Sequence, residues 1–206
     1  WLQKTAKRMP PTPVAPGLPA WPAGYDQAYG YGMIRAFEAA NSGVLSLVDL
    51  STRGQVNNVA GKELIMGFVI DGSQTKRVLI RAVSPKLGDL GDLSIVGGLS
   101  TPTLTLRRQG TPEPIGANTG WKTAASPATI QGTSNEDAIR KASADAGTFQ
   151  LSENITGGGD SALHLDLSAG QYTATITGGD GLALAEVYDA AGATALDSRL
   201  VNLSTR

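Results

Sequence analysis

The chain has 206 residues, no cysteine and a formal net charge of −1, with 17 basic side chains set against 18 acidic ones. That balance supplies no field to gather nucleic acid or anionic lipid, and the missing thiols exclude a disulfide framework or a thiolate metal site. No apolar run approaches the roughly 20 residues that span a bilayer as a helix, while 26 glycines and only 17% charged residues suit a secreted all-β domain rich in tight turns.

Residues 1–25 stand apart. Six prolines lie between Pro10 and Pro22, and proline fixes φ and removes a backbone donor, so an extended, polyproline-like segment is expected. Its composition is that of a linker. Trp1, Leu18 and Trp21 instead suit an arm that lies on a neighbouring subunit, because a free linker rarely carries large apolar residues. Trp1 in place of an initiating Met suggests that a leader, such as a secretory signal, once preceded the chain.

Residues 26–41 read as a helix. Asp26 caps its start, Tyr29, Met33, Phe37 and Ala40 recur at helical spacing, and Asn41-Ser42-Gly43 ends it. The expected boundary follows, with an arm and helix over 1–43 and a β domain over 44–206.

From Val44 strands are expected. Gly61–Ile70 reads as a buried strand, Asp71-Gly72 as a turn and Lys76–Val83 as the returning strand, which together predict a hairpin. Residues 87–98 read as loop, and Thr103–Arg108 alternates with Leu104 and Leu106 on one face. Ser134-Asn135-Glu136-Asp137 has the form of a capping box for one short helix. Phe149–Ile155 predicts a further strand. Leu163, Leu165 and Leu167 alternate with His164 and Asp166, which places the latter two on a polar, exposed face. Gln171–Asp189, turning at Gly178–Gly181, predicts a second hairpin. So many short strands imply an antiparallel β-sandwich, jelly-roll-like, with a short helix and a proline-rich N-terminal extension.

One strand occurs twice. Leu47–Arg53 is LVDLSTR, and Leu200–Arg206 is LVNLSTR, 153 residues later, with Asp49 replaced by Asn202. The stretches GFVIDGSQTKRVLIRAVSPKL, TLTL, ANTGW and LSAGQYTATITGGDGLALAEVYD, in that order, resemble a β-sandwich repeat module of large secreted bacterial surface proteins. In those proteins the module occurs in tandem, and segments like SRLVNLSTRG join consecutive copies. The resemblance covers roughly residues 45–206 and implies an extracellular or cell-surface setting and an architecture. It implies no reaction.

No catalytic set is expected. His164 is the only histidine, and although an imidazole beside the Asp166 carboxylate can act as a base with its orienter, the alternation favours an exposed polar face. No GxSxG is present. Asp89, Asp92, Asp160 and Asp180 lie in glycine-rich loops that could supply oxygens to calcium, but turn formation accounts for them. No cofactor or metal is therefore expected.

The expected function is that of an extracellular structural subunit, pilus-like, which assembles head to tail with copies of itself by exchanging terminal segments. The contacts would come from Leu47, Val48 and Leu50, from Leu200, Val201, Asn202 and Leu203 paired with a neighbour's sheet, and from Trp1, Leu18 and Trp21. The alternatives are an adhesive module that binds polysaccharide through loops and exposed aromatics such as Trp21, Trp121, Tyr25, Tyr29 and Tyr31, and a proteolytic fragment of a longer tandem-repeat protein, since the chain ends in Arg206.

Overall fold

A computed structural model describes residues 47–89, 97–123, 135–153, 159–191 and 197–206. The expected arm with Trp1, Leu18 and Trp21, and the helix over 26–41, lie outside the described residues. The chain divides between Leu45 and Ser46 into two units, and all the described residues belong to the second.

Nine strands form two antiparallel sheets among the described residues. They are β1 (Asp49–Val56), β2 (Leu64–Gly72), β3 (Lys76–Val83), β4 (Thr103–Arg108), β5 (Gly116–Thr119), β6 (Ser161–Leu167), β7 (Gly170–Thr177), β8 (Gly181–Asp189) and β9 (Ser198–Thr205). One sheet has the order β1-β8-β3-β6 and the other β5-β4-β7-β2-β9. Among the described residues one α-helix, α1 (Glu136–Asp145), precedes β6, and a short 3-10 helix spans Pro85–Asp89.

The all-β sandwich is as expected, but its wiring differs at both predicted hairpins. β2 and β3 lie in different sheets, and so do β7 and β8. The glycines mark real turns, yet each turn arches across the sandwich. At Gly178, φ is +124°, and a Cβ would lie 2.2 Å from the carbonyl oxygen of Thr101, so glycine is required there. Two apolar runs about a glycine turn look alike whether they pair or arch. What separates them is where each finds its partners. β2 finds β7 and β9, whereas β3 finds β6 and β8. Among the described strands only β4 and β5 form a local hairpin.

The sheets pack face to face through alternate residues, as a half-buried strand requires. Leu64, Met66, Phe68 and Ile70 of β2 meet Val78, Ile80 and Ala82 of β3, Leu163, Leu165 and Leu167 of β6, and Ala183, Ala185 and Val187 of β8. Phe68 stacks on Tyr172 at 5.5 Å between ring centroids.

A second core covers the outer face of the four-stranded sheet. Leu79, Val83 and Tyr188 point outward there and are buried by Trp121, Leu151 and by Ile139 and Ala142 of α1. Asn135 caps α1, its side chain accepting a hydrogen bond from the Ala138 amide at 2.9 Å, which satisfies one of the helix's free donors. The strand expected over Phe149–Ile155 is absent from the described part of that segment. Residues 149–153 are irregular and act as a cover, with Leu151 buried.

β9 has partners within its own chain. Leu200, Asn202 and Leu203 were expected on a neighbour's sheet, but in this chain they pair with Ile70, Val69 and Phe68 of the chain's own β2. Leu200 is fully buried in the chain's own core. The alternating apolar face of β2 is present in cis, and a β-bulge at Val201, between Val69 and Ile70 on the partner, lets Leu200 turn inward while the rest of the strand stays at the edge.

Candidate functional site

The two copies of the repeated strand occupy the edges of opposite sheets, β1 on β8 and β9 on β2. They meet where the amide of Leu47 donates to the carbonyl of Leu200 at 3.0 Å. Both edges therefore open on the same side of the sandwich. Among the described residues the exposed large apolar side chains are Leu47, Val48, Val59 and Val201, and three of these four belong to the repeat. Leu50 is half-buried against the main core. The side chain of Leu203 lies outside the described part of the structure. Sequence reasoning found these residues because they repeat. Which sheet each copy joins could not be read, because identical residues join different sheets.

Sequence reasoning missed a groove of about 480 Å³ on the outer face of the five-stranded sheet. It is walled by Arg107 and Arg108 of β4, Gln171 and Thr173 of β7, and Asn202 and Ser204 of β9, with Gly67 and Val69 of β2 as its floor. No acidic residue lines it. Arg108 donates to the carbonyl of Ala169 at 2.8 Å and lies over the Tyr172 ring. The alternating Thr and Gln of β7 were visible in the sequence. Their convergence with β9 was not, since it depends on the non-local pairing with β2.

The polar residues of the opposite outer face are structural. His164 was expected to be exposed, but only 7% of its surface is, because the covering segment and α1 lie on that face. Asp166 is bound by the Arg77 guanidinium, with Nε to Oδ1 at 2.7 Å, and this contact holds its carboxyl below the usual range. Arg81 and Glu186, opposite each other on β3 and β8, form a buried pair at 2.8 Å. Tyr188 donates to Glu186 at 2.7 Å, and burial pushes the Tyr188 hydroxyl up to about 12. Arg81 also donates to the carbonyl of Phe149 at 2.8 Å and stacks on that ring.

Asp160 is fully buried rather than part of an open calcium loop. Its carboxylate accepts from the amides of Ser84, Lys86 and Ser152 at 2.9, 3.2 and 2.7 Å. Burial raises its pKa, against the lowering effect of those amides. Asp180 accepts from the amide of Asn58 at 2.7 Å. Asp92 and the side chain of Asp89 lie outside the described residues. No group of three or more His, Cys, Asp or Glu side chains converges among the described residues.

Trp121 is not a platform for sugars. It is buried, donates to the carbonyl of Ser152 at 2.8 Å, and is flanked by Lys122 and Arg140. Trp21, Tyr25, Tyr29 and Tyr31 lie outside the described residues. No helix among the described residues is long and apolar enough to cross a membrane. No protein family, curated protein or solved structure matches the chain.

Proposed function

We propose that the chain is an extracellular structural subunit that assembles with copies of itself through its two repeated strands. The observation that carries this reading is the concentration of exposed Leu47, Val48 and Val201 in the repeat copies, on one open side of the sandwich. Exposed edges with apolar side chains are sticky, and native sheets usually blunt them. A contact between the β1 edge of one copy and the β2–β9 edge of the next uses two different surfaces, so it is heterologous and extends into a filament unless its geometry closes. The likeness to tandem surface modules supports the same arrangement, with covalent succession replaced by association. The test is sedimentation and electron microscopy of the 206-residue chain. Filaments that are lost when Leu47 and Val48, both exposed, are replaced by Ser, with the monomer still folded, support the proposal. A chain that stays monomeric, or stops at a closed dimer, overturns it.

The groove favours a second reading, attachment to an acidic polysaccharide. Two arginines, four hydroxyl-bearing residues (Thr111, Tyr172, Thr173 and Ser204) and three side-chain amides (Gln109, Gln171 and Asn202) line a cavity with no carboxylate among the described residues. Arginine forks match sugar carboxylates, and the amides and hydroxyls match ring hydroxyls. Retention of the monomer on a polyuronate column, lost in Arg107→Gln, supports it. Equal retention on neutral dextran counts against it.

A further inference from the structure

The two copies of the strand use opposite edges of the same sequence. Ile65 and Arg206 exchange both backbone hydrogen bonds, at 2.9 and 3.0 Å. In an antiparallel pair such residues alternate with non-bonded ones, so with Ser204 opposite Gly67 and Asn202 opposite Val69, the groups of Asn202, Ser204 and Arg206 point at β2. In β1 the carbonyl of Val48 accepts from Asp189 at 2.8 Å. By the same alternation and the register Leu50 to Val187 and Thr52 to Ala185, it is Val48, Leu50 and Thr52 that point at β8. Asp49, Ser51 and Arg53 therefore present their backbone groups to the open side. These are the positions equivalent to Asn202, Ser204 and Arg206. What one copy uses to hold β2, the other leaves without a strand partner among the described residues.

The side chains agree as well. Asp49, Ser51 and Arg53 are exposed in β1, whereas Leu50 and Thr52 are half-buried. Asn202 and Ser204 point outward into the groove. Gly67 leaves room for this serine, since a Cβ there would lie 2.5 Å from the Ser204 hydroxyl, and Ser51 is its counterpart. Simple addition of the free edge of β1 to the free edge of β9 would pair Asp49, Ser51 or Arg53 with Leu203 or Thr205. Directly opposed residues share a face of the sheet, so the solvent face of one copy would continue as the core face of the other. Replacement keeps the faces matched.

Resting on the assembly reading, we infer that β1 of one copy, while still held on its own β8, takes the place of the outer half of β9 on β2 of a second copy. The register is Asp49 to Val69, Ser51 to Gly67 and Arg53 to Ile65. The bulge at Val201 divides β9 into a half anchored by buried Leu200 and a half, Asn202–Arg206, whose described side chains are all exposed. Only the second half has to leave. The result is one continuous sheet through two molecules.

The absence of cysteine makes the register directly testable in the full chain. Asp49→Cys and Val69→Cys variants are mixed under conditions of assembly and oxidised. A mixed disulfide is expected at least tenfold above that from Ser51→Cys with Val69→Cys, in which the register is wrong. In the double variant Asn202→Cys/Val69→Cys, oxidation locks β9 in cis and should abolish assembly until a reductant is added. Filaments that form without the Asp49–Val69 crosslink, or that form equally well with β9 locked, overturn the shared strand and leave the assembly reading standing. A wild-type chain that sediments only as monomer overturns both.

Discussion

The two outer faces of the sandwich are made from the same kind of alternating strand, yet they have opposite fates. On the four-stranded sheet the outward residues include Arg77, Leu79, Arg81, Glu186 and Tyr188, and α1 with residues 148–153 covers most of them. On the five-stranded sheet the outward residues include Thr103, Thr105, Arg107, Gln171, Thr173, Val69, Asn202 and Ser204, and that face stays open around a groove. Charge alone does not predict which face meets water, since buried Arg81 and Glu186 lie on the covered one. Charges go inside when each has a partner directly across the ladder, and unpaired hydroxyls and amides stay outside. The covered face is thus a stabilising device, and the open face with its edges is where the proposed contacts fall.

The sharpest break of this contrast is at the buried pair. Glu186→Leu leaves the Arg81 guanidinium buried without its carboxylate and removes the acceptor of the Tyr188 hydroxyl. Breaking such a pair costs about 3–5 kcal/mol, measurable by chemical denaturation. Adding Arg81→Met should recover most of that loss, because an apolar pair of similar volume is tolerated in place of a buried ion pair. If Glu186→Leu were neutral by itself, the covered face would not be a stabilising device.

Next in size is the anchor of the terminal strand. Leu200→Ala removes a fully buried side chain from the main core and should cost about 2–5 kcal/mol. Val201→Ser, at an exposed position of the same strand, should stay within about 0.5 kcal/mol while weakening assembly. The two substitutions separate what β9 does for its own fold from what it offers a neighbour. Equal destabilisation by both would show β9 to be a core strand throughout.

Most of the strands were legible in the sequence, because their alternation is a local property. Leu163, Leu165 and Leu167 announce their face without knowledge of any partner. The hairpins at Asp71-Gly72 and Gly178–Gly181 were misread for the complementary reason. Pairing is decided by strands distant in the chain, and β3 joins β6 and β8 across roughly a hundred residues. The exposure of His164 was misread because alternation within β6 cannot report a second layer packed on the outer face of the sheet. The repeated segment was legible as a strand in both copies. Its attachment to β2 in cis was not, since seven residues that satisfy two different edges carry no mark of which they occupy.

A smaller effect separates the faces by pH. Near the rim of the covered face Glu153 is bound by Arg140 and Lys122 at 2.5 and 2.6 Å, and these contacts hold its carboxyl down at about 2. A carboxyl whose pKa is lowered by folding stabilises the native state above its unfolded pKa, and the contribution is lost as pH falls through the folded value. Stability should therefore decline from about pH 4.5 toward pH 2, with Asp166, held by Arg77, adding to the slope. Glu153→Gln should flatten that decline in acid denaturation curves and leave the neutral region little changed. An unchanged acid slope would mean that the contact is not held in solution.

The smallest effect on stability is expected on the open face, and there the contrast becomes most exacting. Arg107 is exposed on β4, with no ion pair among the described residues, and Thr173 shares the groove wall with it. Neither side chain fills the core, so Arg107→Gln and Thr173→Val should each shift unfolding by no more than about 0.5 kcal/mol. Exposed strand positions tolerate Val well on propensity grounds, and Gln retains the length of the Arg stem while removing its charge. If this face serves only to keep the sandwich in solution, polyuronate retention should be as indifferent to these substitutions as stability is. If the groove recognises a ligand, retention should fall while the unfolding midpoint stays in place. A large loss of stability from either substitution would erase the distinction between the faces, because it would show the open one to carry structural weight as well.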